Sequence, residues 1–116
     1  MTTEEKLQQI VDKLLVKTQD NRCNWKKESG NKFILRMPVY ADIVMYIGPN
    51  INSSYHIILD IVRDDTVIAS LYKDQKETES TLVRLFRCVI SYNENYVNDQ
   101  LSKLMDELQK LGDKPI

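Results

Sequence analysis

Apolar residues recur at helical spacing near the beginning of the chain. Leu7, Val11 and Leu14 are separated by four and three residues, and residues spaced in this way lie on one face of an α-helix. Thr2 precedes this run and a glutamate follows Thr2 three residues later, which is the arrangement of a capping box at a helix N-terminus. The pattern predicts a helix over residues 3–18.

The apolar spacing changes to two in the middle of the chain. Phe33, Leu35 and Met37 share one face of an alternating run, which is typical of a strand that is buried on one side. Pro38 interrupts the run because proline has no N–H for the hydrogen-bond ladder. We therefore expect an antiparallel meander of four to five strands. The predicted segments are a short strand from Trp25 into a turn at Ser29–Asn31, then 33–37, 39–47, 55–63 and 66–72, with a loop at 48–54 and a turn at Asp64–Asp65.

Two more helical stripes occupy the last part of the chain. Asn93, Glu94 and Asn95 lie between the stripes and are expected to break or bend the helix, and Gly112 is expected to end the second one. The sequence thus predicts a single α+β domain over residues 1–116, with an N-terminal helix, the meander, and two C-terminal helices packed on one face of the sheet. The first stripe comprises Leu82, Leu85, Phe86, Val89 and Ile90, and the second comprises Val97, Leu101, Leu104, Met105 and Leu108.

Several of these features occur in the order found in a known group of proteins. They are Leu14, Leu15 and Thr18 in the leading helix, Trp25 with Glu28, Phe33 and Tyr55 each leading a strand, Val67 with Ile68, and Leu82, Leu85, Val97, Leu101, Leu104 and Leu108 in the closing stripes. In this order they resemble small stand-alone bacterial and phage proteins of unknown function. The resemblance implies the α+β fold and a bacterial or phage origin, but no activity and no site residues. The 36–42 stretch, with its proline, and the 48–54 loop depart from the pattern of that group.

The composition limits the function classes. The 116 residues carry 16 basic and 17 acidic side chains, for a net charge of −1. This balance excludes a strongly basic nucleic-acid binder, because such proteins gain most of their affinity from phosphate neutralisation. No stretch approaches the about 20 apolar residues of a membrane span, and the N-terminus carries acids where a signal peptide needs a basic start. We therefore expect a cytoplasmic protein without a membrane partner.

Few residues could carry catalytic or metal chemistry. His56 is the only histidine, and Asp60 on the same face of the predicted strand lies about 13 Å from it along the backbone, which is too far to share a metal ion. Cys23 and Cys88 form no CxxC motif, and the three glycines form neither a phosphate-binding loop nor a nucleophile elbow. The sequence therefore predicts no catalytic residues, no metal site and no cofactor, so an enzyme is not expected.

A basic stretch suggests an alternative function. Residues 22–36 contain five basic side chains and one acidic side chain, interleaved with aromatic rings, and proteins bind single-stranded nucleic acids with this combination. The competing interpretation is a solvated hairpin whose aromatic residues point into the core. A second alternative is a binder of a small, nucleotide-like ligand in a pocket between sheet and helices. The nucleic-acid residues would be Arg22, Trp25, Lys26, Lys27, Lys32 and Arg36.

The second face of the predicted sheet is the most informative feature. If Met37, Tyr55 and Val67 pack under the helices with their alternating neighbours, the opposite face is too apolar for contact with water alone, and its aromatic residues beside a few charges are typical of an interface core. We therefore expect a non-enzymatic interaction module that binds a protein partner, a second copy or both, as a dimeric regulator or inhibitor. Alternatively, a helix crosses this face, or a strand is shifted by one residue. The expected partner-binding residues are Ile34, Tyr40, Val44, Tyr46, His56, Ile58, Val62 and Tyr72.

Overall fold

A computed structural model describes residues 1–49 and 55–112 and has the predicted α+β order. One helix precedes a run of five strands, and a second, longer helix follows them. Gly48 and Pro49, which were predicted to belong to a loop at 48–54, pair in the sheet, and residues 50–54 of that prediction lie outside the described residues. The elements are α1 (Thr3–Gln19), β1 (Lys26–Ser29), β2 (Lys32–Met37), β3 (Ala41–Pro49), β4 (Tyr55–Arg63), β5 (Thr66–Asp74) and α2 (Thr81–Leu111).

The strands form an antiparallel sheet in the order β1-β2-β3-β4-β5, so each strand pairs with its neighbours along the chain. The two-residue turn predicted at Asp64 and Asp65 is present, with φ of 53° and 61°, as a primed hairpin turn requires. A bulge follows it, because Val62 pairs with Val67 whereas Ile61 pairs with Ala69. One additional residue reverses the alternation of side chains, and Val67 therefore faces away from the core in which it was expected.

The core lies between the two helices and one face of the sheet, which we call the inner sheet face. Most of the predicted apolar residues of α1 and of the first turns of α2 are buried there with odd-numbered residues of β2, β3 and β4. The ring of Phe33 contacts that of Phe86 edge to face at 5.8 Å, and Trp25 Nε1 donates a hydrogen bond to Thr18 Oγ1 at 3.0 Å. Met37 and Tyr55, which were expected in this core, are exposed at the ends of their strands.

The prediction of two C-terminal helices is wrong, because α2 runs without interruption for 31 residues. Asn93, Glu94 and Asn95 were expected to break it, yet the Asn93 side chain donates to the carbonyl of Val89 at 3.0 Å while the helix continues. Each of these residues costs a helix only a few tenths of a kcal/mol, and neither proline nor glycine occurs between Thr81 and Leu111. Helix propagation therefore passes through them.

The two parts of α2 differ in their surroundings. Leu82, Val83, Leu85, Phe86 and Val89 are buried in the core, and we call residues 82–90 the proximal half. From residue 94 to residue 111, which we call the distal half, every residue is exposed. The prediction that the second stripe packs on the sheet is therefore wrong. The helix projects from the domain, and the principal extents of the molecule are 63 × 34 × 26 Å.

Candidate protein-binding surface

The outer sheet face is the side of the sheet opposite the helices, and strand alternation forms it. Even-numbered residues of β2, β3 and β4 point to this side, because their odd-numbered neighbours lie in the core. The buried apolar residues of both described helices lie with the inner sheet face, so neither helix crosses the outer sheet face and that alternative is wrong. Tyr72 on β5 is 62% exposed. The partly buried apolar residues of this face are Ile34, Val44, Ile58 and Val62.

A hydrogen-bonded network lies in the middle of the outer sheet face. Asp60 is only 8% exposed, and its carboxylate accepts hydrogen bonds from the Tyr46 hydroxyl at 2.9 Å and from Ser70 Oγ at 2.5 Å. Burial raises the pKa of the Tyr46 phenol, and the hydrogen bond to Asp60 and the charge of its carboxylate raise it further. Tyr46 therefore stays protonated as a donor. Because these polar groups already satisfy one another, a partner can cover the face without leaving them unpaired.

Gly48 shapes the same face. A Cβ atom at this position would lie 2.8 Å from Ile58 Cδ1 and 3.2 Å from Tyr46 Cε2, both closer than ordinary van der Waals contact. The missing side chain therefore lets Ile58 and the Tyr46 ring pack directly against the backbone of β3. The sequence pattern placed Gly48 in a loop because glycine followed by proline is typical of a loop, whereas β3 continues through Pro49.

Of the remaining predicted site residues, one lies on the outer sheet face and one lies outside the strands. His56 lies on the outer sheet face, where its ring contacts that of Tyr72 edge to face at 6.0 Å. Tyr40 is exposed in the turn between β2 and β3 rather than on a strand. The bulge adds Val67, which the sequence pattern had assigned to the core, to this side of the sheet beside the exposed Ile68. The face is thus extended toward β5, while Tyr40 lies at its end.

The residues that could serve as a nucleophile or a base lie on opposite sides of the sheet. Cys23 is buried in the core and Cys88 packs against it, whereas His56 lies on the outer sheet face. A thiol and an imidazole separated by a sheet cannot form the hydrogen-bonded pair that nucleophilic catalysis needs. Within residues 1–49 and 55–112, no group of three or more potential metal ligands occurs.

The basic stretch does not present its aromatic rings to solvent. Trp25 is 2% exposed, and Phe33 is buried against Phe86, so neither ring is accessible for stacking on a base. Lys32 forms an ion pair with Glu28 at 3.2 Å, and Arg36 lies 4.0 Å from Asp42. This arrangement agrees with the interpretation of the stretch as a solvated hairpin. Of the features that suggested nucleic-acid binding, only the positive charge is exposed.

A groove of about 600 Å³ opens between α1 and the sheet. It lies where the small-ligand hypothesis expected a pocket, and its wall is mainly apolar. The described residues of its lining include five cations and no acid. The groove therefore combines an apolar surface with a positive rim. The apolar lining includes Leu14, Leu35, Met37 and Ile43, and the cations are Lys13, Lys17, Arg22, Lys26 and Arg36.

Comparison of the chain with protein-family models, with curated protein sequences and with solved structures found no match. Neither α1 nor α2, the two helices of the described residues, combines the length and the apolar character that crossing a bilayer requires.

Proposed function

We propose that this protein is a non-enzymatic interaction module that binds a segment of another protein on its outer sheet face and thereby regulates or inhibits that protein, in a bacterial or phage setting. One observation carries the proposal. Neither helix of the described residues covers the outer sheet face, and Tyr72, Val67 and Ile68 are exposed beside its partly buried aliphatic residues. Aromatic and aliphatic side chains around satisfied polar groups are typical of the core of a protein interface.

The position of Asp60 indicates what kind of partner fits. An isologous contact centred on the outer sheet face would place two Asp60 carboxylates near the twofold axis, and like charges that are covered together are costly. A different protein can instead place a lysine, an arginine or a hydroxyl donor opposite Asp60, because each of its oxygens has a further lone pair. The face is therefore better suited to a foreign segment with apolar residues beside a hydrogen-bond donor than to a second copy.

The test is direct binding to the products of the genes that neighbour this one, measured by isothermal titration calorimetry. We expect one of them to bind, and Tyr72→Ser to weaken its binding roughly 10-fold or more, as loss of an aromatic anchor does. Tyr55→Ser is the matched control, because Tyr55 is similarly exposed but at the end of β4. If a partner binds the parent and Tyr72→Ser with equal affinity, the outer sheet face is not the binding surface. If photocrosslinking from position 72 in the native host yields no protein adduct, the proposed function as a protein-binding module is contradicted.

A second candidate function is supported by the groove between α1 and the sheet. An apolar wall with a positive rim suits a ligand with an apolar body and an anionic head. The fluorescent probe 1-anilinonaphthalene-8-sulfonate has this chemistry. We expect Lys13→Gln/Lys17→Gln to weaken its binding roughly 10-fold, whereas Lys103→Gln/Lys110→Gln in the distal half of α2 should leave it unchanged. Equal binding by both variants would exclude this groove as the site.

A further inference from the structure

The distal half of α2 carries an apolar seam that is not buried in the described part of the chain. The seam residues are separated by alternating steps of four and three residues, the spacing at which one helix faces another in a coiled coil. All of them are exposed, Leu104 to 51% of its surface. A seam of this kind on a projecting helix fits a second helix. Its residues are Val97, Leu101, Leu104, Leu108 and Leu111, with Met105 beside them.

The charges of the distal half are arranged so that a second copy fits. Asn98, Gln100, Met105 and Glu107 flank the seam, and Glu107 is the only charged residue among them. From residue 97 onward the other charged residues lie on the remaining surface of the helix, where Lys103 and Asp99 form an ion pair at 3.3 Å. Glu94 precedes Val97 by three residues and is in line with the seam. Two copies can therefore approach along the seam without repulsion between like charges, which is the element that normally excludes self-pairing.

The seam is short and needs additional contacts. From Val97 to Leu111 it extends over about 21 Å at ~1.5 Å per residue, whereas a self-sufficient coiled coil uses roughly three to four heptads. At the base of the helix a groove of about 1060 Å³ separates α2 from the β1–β2 hairpin, and it is continuous with the seam because Val97 lines both. Trp25, Phe33 and Ile90 contribute to its wall. A partner helix that follows the seam toward the domain enters this groove.

Electrostatics favour the C-terminal end of the entering helix. Lys26 and Lys27 line the groove together with Glu94, so its charged residues sum to one positive charge. The last turn of a helix carries a partial negative charge from its unpaired carbonyls. Glu107, beside the seam, adds a full negative charge. An antiparallel partner brings this end into the groove and leaves the two domains at opposite ends of the helix pair.

We propose that two copies of the chain pair through the distal halves of α2 in antiparallel orientation, with the end of each helix in the groove of the other copy. This pairing does not depend on the outer sheet face. Oligomeric state is measured by analytical ultracentrifugation, and we expect a dimer of twice the 13.6 kDa chain mass with a dissociation constant on the order of 1 μM. A monomer over the whole range of concentrations would overturn the proposal.

Leu101→Gln/Leu104→Gln tests the seam, because glutamine keeps the helix propensity of leucine and removes its apolar surface. We expect dimerisation to weaken roughly 100-fold, while circular dichroism shows an intact domain. Asp99→Gln/Lys103→Gln on the opposite surface of the same helix and Tyr72→Ser on the outer sheet face are the matched controls and should dimerise like the parent. A dimer that survives the leucine changes, or that Tyr72→Ser abolishes, would show that another surface mediates it.

A zero-length carbodiimide cross-link between a lysine and a carboxylate tests the orientation. In a mixture of ¹⁵N-labelled and unlabelled chains, we expect mixed-isotope cross-links between Lys26 or Lys27 and Glu107 of the partner subunit. Mixed cross-links confined to Lys110 and Glu107 at the same helix end would indicate parallel pairing and would overturn the antiparallel proposal.

Discussion

The proximal and distal halves of α2 have the same pattern of apolar residues and opposite surroundings. Leu85 in the proximal half is 0% exposed, whereas Leu104 in the distal half is 51% exposed, although each belongs to a stripe with helical spacing. The comparison shows that an amphipathic stripe indicates a helix with a contact surface. The stripe alone does not specify whether the surface that covers it belongs to the same chain or to another one.

The largest difference between the halves should appear in the stability of the monomer. Leu85→Ala removes a fully buried side chain and should lower the free energy of unfolding by about 2 to 5 kcal/mol, whereas Leu104→Ala removes an exposed one and should change it by less than ~0.5 kcal/mol. Urea unfolding at protein concentrations below the dissociation constant of the dimer measures both. Similar losses for the two variants would mean that the distal half packs within its own chain.

Hydrogen exchange should separate the halves along the backbone. In the Leu101→Gln/Leu104→Gln variant, amides of the distal half should exchange at least roughly 100-fold faster than those of the proximal half, because an unpacked helix end opens without unfolding the core. Exchange of the parent protein at high concentration is the control and should show stronger protection of the distal half. Equal protection in the variant would contradict the view that tertiary packing ends near residue 93.

Asn93 lies at the boundary of the two halves, and its replacement should have a smaller effect. Asn93→Ala removes the hydrogen bond to the Val89 carbonyl, which costs about 0.5 to 1.5 kcal/mol, but the higher helix propensity of alanine offsets roughly half of this loss. Thermal unfolding should therefore show a net change of less than ~1 kcal/mol. A large loss would indicate that Asn93 fixes the direction of the distal half, in contrast to the exposed Asn95, for which Asn95→Ala is the control.

The ion pair on the distal half should have the smallest effect. Lys103 and Asp99 are both well exposed, and exposed pairs four residues apart contribute about 0.3 to 0.5 kcal/mol. Lys103→Gln should thus leave the unfolding midpoint nearly unchanged, and high salt should reduce even this difference. A decrease of more than ~1 kcal/mol in the free energy of unfolding would show that this side of the distal half also contacts other residues.

Local patterns predicted most of the architecture. The change from helical to alternating spacing identified α1 and the strands, and the burial of Phe33, Leu35 and Met45 follows directly from that alternation. Asp64 and Asp65 were correctly assigned to a turn. These features depend on neighbouring residues, whose preferences are visible in a short window of sequence.

The predictions that were wrong concern features that depend on more of the chain than a short window of sequence. Asn93 and its neighbours are individually poor helix residues. Their free-energy cost is nevertheless small, because extending a helix that Leu85 and Val89 already anchor in the core requires no new nucleation. The bulge that turns Val67 outward depends on the register of β5 against β4. The outward position of Val67 was therefore identified only through that register, and the exposure of Leu104 only through the continuity of α2.

The continuous helix also determines how binding surfaces are arranged in an assembly. A helix of 31 residues is a rod of about 46 Å, and its proximal half is fixed in the core of the domain. Two chains joined along such rods present their outer sheet faces from one rigid body at a constant separation. A target that displays two copies of the recognised segment at that separation would bind with avidity, because the second contact forms at an effective concentration in the ~mM range. Discrimination between single and paired targets then follows from the length of α2.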